Sequence, residues 1–337
     1  MPLPPQLATL LARTGHLGWI GPKQRTRAQH DANARHLAAM PRFRIGAPGD
    51  PVYTAPSDPI KVMLTDSWKD PSVIADIGLG GQPFPRFHQL TGSCVGCGGG
   101  QALATLNFVQ RMLSANPTTA FVPFWPYNYG KCRAEEGDVG QGEGAMGSSF
   151  AHSIATDGIL TDTDQGLPVF VNNDGLILTD QLEMQWSDGN SSLVTGFDAL
   201  AKPHPVGTAA PCLGVQDVKA AILNGYPCTC ACDDYIGNAS IQGTGGNACV
   251  LGKWDSPGGH QQSVHNYWDH PTLGPLYWAQ NNWPGDTYPA DPAGGPTCGC
   301  WVRENDLAKV WQLDAEVFAI SHLSWFPAQP SVWNWFL

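Results

Sequence analysis

A cysteine at position 94 stands in the run Gly92-Ser93-Cys94-Val95-Gly96, just ahead of Gln101–Leu113, where apolar residues recur at helical spacing. This puts the thiol at the N-terminus of a helix, with Ser93 as its N-cap. Unpaired N–H groups and the helix dipole there favour the thiolate, the form of cysteine that attacks carbonyl carbon. Such a nucleophile needs a base, and the base needs a group that fixes its tautomer. Gly258-Gly259-His260 sets an imidazole at the start of a strand-like run, after a turn. Gln280-Asn281-Asn282-Trp283 follows another short strand, Leu276–Ala279, and offers an amide oxygen to one ring nitrogen, with Trp283 placed to shield the pair from water. The chemistry these types can perform together is acyl transfer through a covalent thioester.

Each residue also has a plainer reading. A single cysteine is usually a small buried hydrophobe, and a histidine after two glycines is often only a turn residue. His265 and His270 lie nearby; His265 falls within the strand, on the face of Ser263, and reads as structural. Cys94-x-x-Cys97 is a single zinc-type knuckle with no second one. Cys228, Cys230, Cys232, Cys298 and Cys300 lack zinc spacing, so neither a metal nor another cofactor is expected. Gly98-Gly99-Gly100 lacks the Lys-Ser/Thr of a phosphate loop, and no close pair of carboxylates suggests a glycosidase.

The ordered set Gly-Ser-Cys, Gly-Gly-His and Asn-x-Trp is similar to that of the papain-like cysteine peptidases. It resembles most the bacterial and phage members, in which a small or apolar residue follows Gly-Ser-Cys. Glu143–Gly147, with the helix that ends at Asp157-Gly158-Ile159, resembles the cleft wall that binds substrate backbone. Val218–Pro227 resembles the helix leading into the first barrel strand. The resemblance implies an α+β fold of two lobes, one helical and one β-barrel-like, that hydrolyses peptide or amide bonds in a peptide or protein substrate. It makes Cys94 the nucleophile, His260 the base and Asn281 its orienter, and it puts Gln89 and the Cys94 N–H at the oxyanion. Gly144 and Ala145 offer backbone groups to an extended peptide, and Trp283 covers the site. Transglutaminase- or amidase-like use of the same triad is a further option.

The sequence departs from the family pattern in several places. Gln89 lies five residues before Cys94, one short of the usual offset, and His88 takes the usual place. Asn282 and Pro284 replace a Ser and a Gly. Three glycines fall in the first turns of the nucleophile helix, at about 0.5–1 kcal/mol each relative to Ala, which predicts close packing against another backbone. Cys97 is a rival nucleophile: in the eukaryotic branch the reactive cysteine follows another by three positions, which would make Cys94 its disulfide-forming neighbour.

The elements that must position these groups divide the chain. Residues 1–59 read as an N-terminal extension, pro-segment-like or partner-docking, with helices at Leu7–Leu17 and Arg25–Met40. Residues 60–322 form the papain-like domain. Its helical lobe, about 60–210, includes Ser148–Asp157, and its β-rich lobe, about 211–322, carries a helix at Val215–Asn224. Strands are expected at Ile60–Leu64, Cys228–Tyr235, Ser263–Trp268, Leu276–Gln280 and Trp301–Arg303. Residues 323–337 form an aromatic tail. Only 14% of the 337 residues are charged and the net charge is −11 without a long basic run, which argues against a nucleic-acid partner. No apolar stretch reaches the ~18–20 residues of a membrane span and no secretory signal is read; the location stays open, with cytoplasmic and virion-associated as the options. Low charge and two extensions also suit a rival class: a structural or assembly protein, such as a phage virion component, that keeps the fold with weak or no activity and docks partners through its ends.

Overall fold

The computed structural model describes residues 8, 12, 18–40, 60–113, 119–140, 142–162, 164, 167, 171–172, 175–176, 179–283 and 288–323. Most of the expected Leu7–Leu17 helix, Pro284 and nearly all of the aromatic tail lie outside the described residues.

Helix α1 (Arg27–Ala39) opens at Thr26 with a capping box: Thr26 Oγ1 accepts from the Gln29 N–H and Gln29 Oε1 from the Thr26 N–H. Strand β1 (Lys61–Met63) precedes α2 (Pro71–Ile77), which has Pro at its first position and ends on Gly78 in the left-handed region. Helix α3 (Cys94–Leu113) begins at the candidate nucleophile and runs straight through the three glycines. Two of the three meet rings, not the backbone expected. A Cβ on Gly99 would sit 2.2 Å from the Phe150 ring and one on Gly100 2.7 Å from Trp125, while Gly98 alone faces backbone, at 3.1 Å from Gln261 O. Glycine therefore sets how closely α3 approaches its neighbours.

Helix α4 (Trp125–Glu136) was not apparent in the sequence. Most of its residues are buried, so no polar stripe marks a helical period. Next come α5 (Gly147–Thr156), a small hairpin of β2 (Val171–Asn172) and β3 (Gly175–Leu176), α6 (Asp180–Trp186) and the short α7 (Ser192–Thr195) and α8 (Asp198–Ala201). The remaining elements are β4 (Val206–Pro211), α9 (Val215–Leu223), β5 (Cys228–Gln242), β6 (Cys249–His270), β7 (Gly274–Gln280), β8 (Gly299–Arg303), α10 (Glu304–Ala308) and β9 (Glu316–Leu323).

Seven strands form one sheet in the order β4-β9-β5-β6-β7-β8, with β1 also paired to β6. Strand β6 is 22 residues long: it pairs with β5 and β7 and meets β8 in parallel at Leu251–Trp301, so the sheet curls back on itself. The period-two alternation of a strand explains the Cys-x-Cys-x-Cys run: Cys228, Cys230 and Cys232 all enter the apolar core of the β-rich half. All ten cysteines are buried free thiols. A second core fills the helical half, from Trp19 and Cys94 to Phe150 and Trp186. Among the described residues no helix is long and apolar enough to cross a membrane.

Candidate active site

The loop before Cys94 is held by a buried carboxylate. Glu183, on α6, accepts from the N–H groups of Leu90 and Thr91, each at 3.1 Å, from Thr91 Oγ1 at 2.6 Å and from Ser93 Oγ at 2.7 Å. Burial pushes its carboxyl up to about 7, against the pull of those hydrogen bonds. The Ser93 hydroxyl thus serves Glu183, while its carbonyl accepts the Cys97 N–H at 3.0 Å as the helix begins.

The Cys94 thiol is fully buried at the α3 N-terminus, and its Sγ accepts from the backbone N–H of Gln261 at 3.4 Å. That residue follows His260 on β6, so the thiol and the imidazole belong to adjoining positions where α3 crosses the sheet. His260 Nε2 lies 2.9 Å from Asn281 Oδ1, while its Nδ1 meets no hydrogen-bond partner among the described residues. The Asn281 amide is fixed from both ends: Oδ1 also accepts the Asn282 N–H at 2.9 Å, and Nδ2 donates to Tyr288 Oη at 3.2 Å. An oxygen accepting from Nε2 leaves the lone pair on Nδ1, the tautomer a base needs. Burial drives the His260 pKa down to about 4, with the Asn281 bond opposing, and it drives the Cys94 thiol well up. Both groups are therefore neutral in this closed arrangement.

Trp283 lies over the imidazole at 5.3 Å between ring centroids, and Tyr235 meets both rings edge-on. Asn282, which the sequence marked only as a departure, bridges the two halves: its Nδ2 donates to Cys94 O at 3.3 Å and Gln261 O at 3.4 Å. Gln89 is buried beside them. Its N–H donates to Asn282 O at 2.6 Å and its Nε2 to Thr91 O at 2.8 Å. Cys97 lies one helical turn further in, fully buried, its thiol raised by burial and by Glu183. His265 Nε2 pairs with Ser263 Oγ at 2.7 Å in the interior.

The two glycine-wall positions differ. Gly144 is turned inward: its N–H donates to Tyr129 Oη at 3.0 Å and its carbonyl accepts from Arg133 at 2.8 Å. Ala145 faces the N-terminal extension. Its N–H donates to Gly18 O at 2.8 Å and its carbonyl accepts from the Ile20 N–H at 2.9 Å, so that Trp19 runs parallel to it. Gly18, at φ +118°, leaves no room for a side chain, since a Cβ would lie 2.2 Å from Gly92 O. Trp19 is fully buried and its Nε1 donates to Glu316 Oε2 at 3.0 Å. Gly147 N–H donates to the same oxygen at 2.8 Å, and Arg25 pairs with the other at 2.8 Å. The residues that sequence reasoning missed, Glu183, Asn282, Tyr288 and Glu316, carry no motif of their own. Asn282 and Tyr288 lie close in sequence to Asn281, but Glu183 and Glu316 reach partners 90 to 297 positions away, which only the fold brings together.

No protein-family model and no curated protein matches the chain. Solved structures do. Procathepsin B S9 from Trypanosoma congolense aligns with a TM-score of 0.50 and 11% identity, covering 94% of this chain and 97% of its own. Xylellain, a cysteine protease from Xylella fastidiosa, aligns with a TM-score of 0.49 and 16% identity, covering 83% of this chain and 94% of its own. At such identities the likeness is one of fold. The chain has the papain-like cysteine-peptidase fold, an α+β arrangement of a helical half and a β-rich half.

Proposed function

We propose that the chain is a cysteine peptidase whose N-terminal extension lies in its own substrate cleft. The observation that carries this reading is the His260 ring: Nε2 is fixed on Asn281 at 2.9 Å while Nδ1 is bare, next along the chain from the N–H that touches Cys94 Sγ. In this reaction His260 Nδ1 takes the thiol proton as Cys94 Sγ attacks the scissile carbonyl. The proton passes to the leaving amine, which departs to give the acyl-enzyme. Water, deprotonated by the same nitrogen, then releases the acid and restores the thiol. The Cys94 N–H and Gln89 Nε2 receive the oxyanion, Gln89 exchanging its bond to Thr91 O for the developing charge. Ala145 binds substrate backbone, with Gly144 held behind it by Tyr129 and Arg133.

Residues 18–25 act as a pro-segment. They take up both backbone groups of Ala145 and put Trp19 and Arg25 on Glu316. With the segment in place the thiol and imidazole stay neutral. Its departure lets water in, lowers the cost of the thiolate–imidazolium pair and exposes Ala145 to a peptide.

The test is labelling with an epoxide-type thiol-protease inactivator and peptide mapping on Trp19→Ala, in which the segment has lost its anchor on Glu316, with and without His260→Ala. Cys94 should be modified faster than any of the other nine thiols, and at least tenfold more slowly in His260→Ala. If Cys94 reacts no faster than the rest, the peptidase reading fails and the fold serves a structural or assembly role. If Cys97 is the one labelled, the nucleophile assignment moves to it.

A further inference from the structure

Away from the cleft, three side chains from three helices converge: His36 of α1, Glu135 of α4 and His152 of α5. His36 Nε2 lies 2.8 Å and His152 Nδ1 3.0 Å from the same Glu135 oxygen, and the two imidazoles stack at 4.3 Å with their planes 13° apart. One potential ligand atom from each residue lies within 4.8 Å of the others. We propose that these three residues bind a divalent transition-metal ion of the Zn2+ class, and that the ion fastens the N-terminal extension to the helical half.

Two imidazoles and a carboxylate are a zinc ligand set that leaves the fourth tetrahedral position to water. The present N···O distances are hydrogen-bond lengths. Bonds of about 2.0–2.1 Å around a tetrahedral ion need ligand atoms about 3.3 Å apart, so the triangle opens by a few tenths of an ångström. The ion must also lie near the plane of both rings, which the parallel stack does not yet allow. His152, with a quarter of its side chain exposed, has room to tip, while His36, at 4%, stays fixed. His36 Nδ1 has no hydrogen-bond partner among the described residues, so the ring proton can reside there and leave the Nε2 lone pair to the metal.

The docked face of α1 gives the ion something to do. Its buried residues are Gln29, Ala32 and His36, so apolar burial contributes little to holding the helix down. The other anchors of this face are polar: Gln29 Nε2 donates to Asp138 at 2.6 Å, His36 meets Glu135, and the Asn33 amide, oriented to satisfy its neighbours, donates to Glu316 Oε1 at 3.0 Å and to Ser148 Oγ. A metal that binds only the docked arrangement favours it by the factor 1 + [Zn2+]/Kd, about 100-fold at one hundred times Kd. The sequence gives no hint of this site, because positions 36, 135 and 152 share no ligand spacing and the one zinc-type knuckle is Cys94-x-x-Cys97.

The experiment uses the full chain carrying Cys94→Ala, which removes the reactive thiol as a competing ligand and makes the result independent of any peptidase activity. EDTA-stripped protein is titrated calorimetrically with ZnCl2, and amide hydrogen exchange of Arg27–Ala39 is followed with and without the ion. One ion per chain at micromolar Kd or tighter is expected, weakened at least tenfold in His152→Ala and in Glu135→Gln. The two side chains are 25% and 30% exposed, so neither substitution opens a cavity in the core. Exchange of the α1 amides should slow at least tenfold with saturating Zn2+ and not in the variants. No binding, or equal affinity in both variants, overturns the site; binding without slower exchange overturns the fastening role.

Discussion

Trp19→Ala removes the side chain that anchors the extension in the cleft. The indole is fully buried and donates to the Glu316 carboxylate at 3.0 Å. Truncating a buried Trp to Ala typically costs about 3–5 kcal/mol, lost hydrogen bonding included. If residues 18–25 dock and undock as a unit, that energy enters the docking equilibrium directly. At about 1.4 kcal/mol per decade, the undocked fraction rises by about 100- to 4000-fold until it saturates. The assay is the rate of Cys94 modification by an epoxide inactivator, kept dilute so that the rate follows the undocked population. The Cys94 rate in Trp19→Ala should rise by about 100-fold or to its ceiling. The rate at Cys228, buried in the other core, should stay low and report that the fold is intact. A change below about threefold at Cys94, with Cys228 still protected, would refute the idea that this segment guards the thiol.

Three further outcomes follow from the geometry. Glu183 has an ordinary value of 4.5 raised to about 7 by burial, so the folded state holds its proton more tightly than the unfolded chain does. Its contribution is fully favourable below about 4.5 and falls away as pH rises through about 7, by about 3 kcal/mol at most. Denaturant unfolding at pH 5 and pH 8 should therefore show a steeper pH dependence in wild type than in Glu183→Gln, and equal slopes would contradict the burial argument. Asn281→Ala removes the acceptor on His260 Nε2; with one hydrogen bond worth about 1–1.5 kcal/mol, kcat/KM should drop about tenfold in a peptide-hydrolysis assay, with KM nearly unchanged. Gly99→Ala drives a methyl group into the Phe150 ring and should destabilise the protein by about 1–3 kcal/mol, most of it recovered in the Gly99→Ala, Phe150→Leu double variant; additive effects would show that the two positions do not touch.

What could be read from the sequence was local. Helix α1 carried Pro and Gly punctuation around its run, and α5 and α9 carried glycines at their C-terminal ends, so their bounds agree with expectation to within two residues. The candidate triad stood out because its reactive types sat beside turn-type residues; Cys94 does open a helix and Asn281 does follow a strand, but His260 lies inside β6. The buried α4 was missed because most of its residues are inside, and the polar ones among them, Asn128, Arg133 and Glu136, blur the helical period. The strands came out short: β6 reaches back to Cys249 through Pro257, Gly258 and Gly259, which read as a turn but are carried in the sheet across register shifts in its pairing with β5. The supports of the site were illegible for another reason. Nothing about Glu183 or Glu316 separates them from other acids until burial and convergence of donors are known. The pairing of Gly18–Ile20 with Ala145 likewise depends on a contact more than a hundred positions apart.

The separation of Trp19 from Glu316, 297 positions along the chain, bears on the order of events during synthesis. A ribosome delivers the segment 297 positions ahead of its anchor, so the seal cannot form until long after the segment itself has emerged. The neighbours of Cys94 are also late: Gln261 and Asn282 lie 167 and 188 positions downstream. Nascent chains thus carry a cysteine without its base and a plug without its anchor until these downstream residues emerge. High contact order of this kind slows folding.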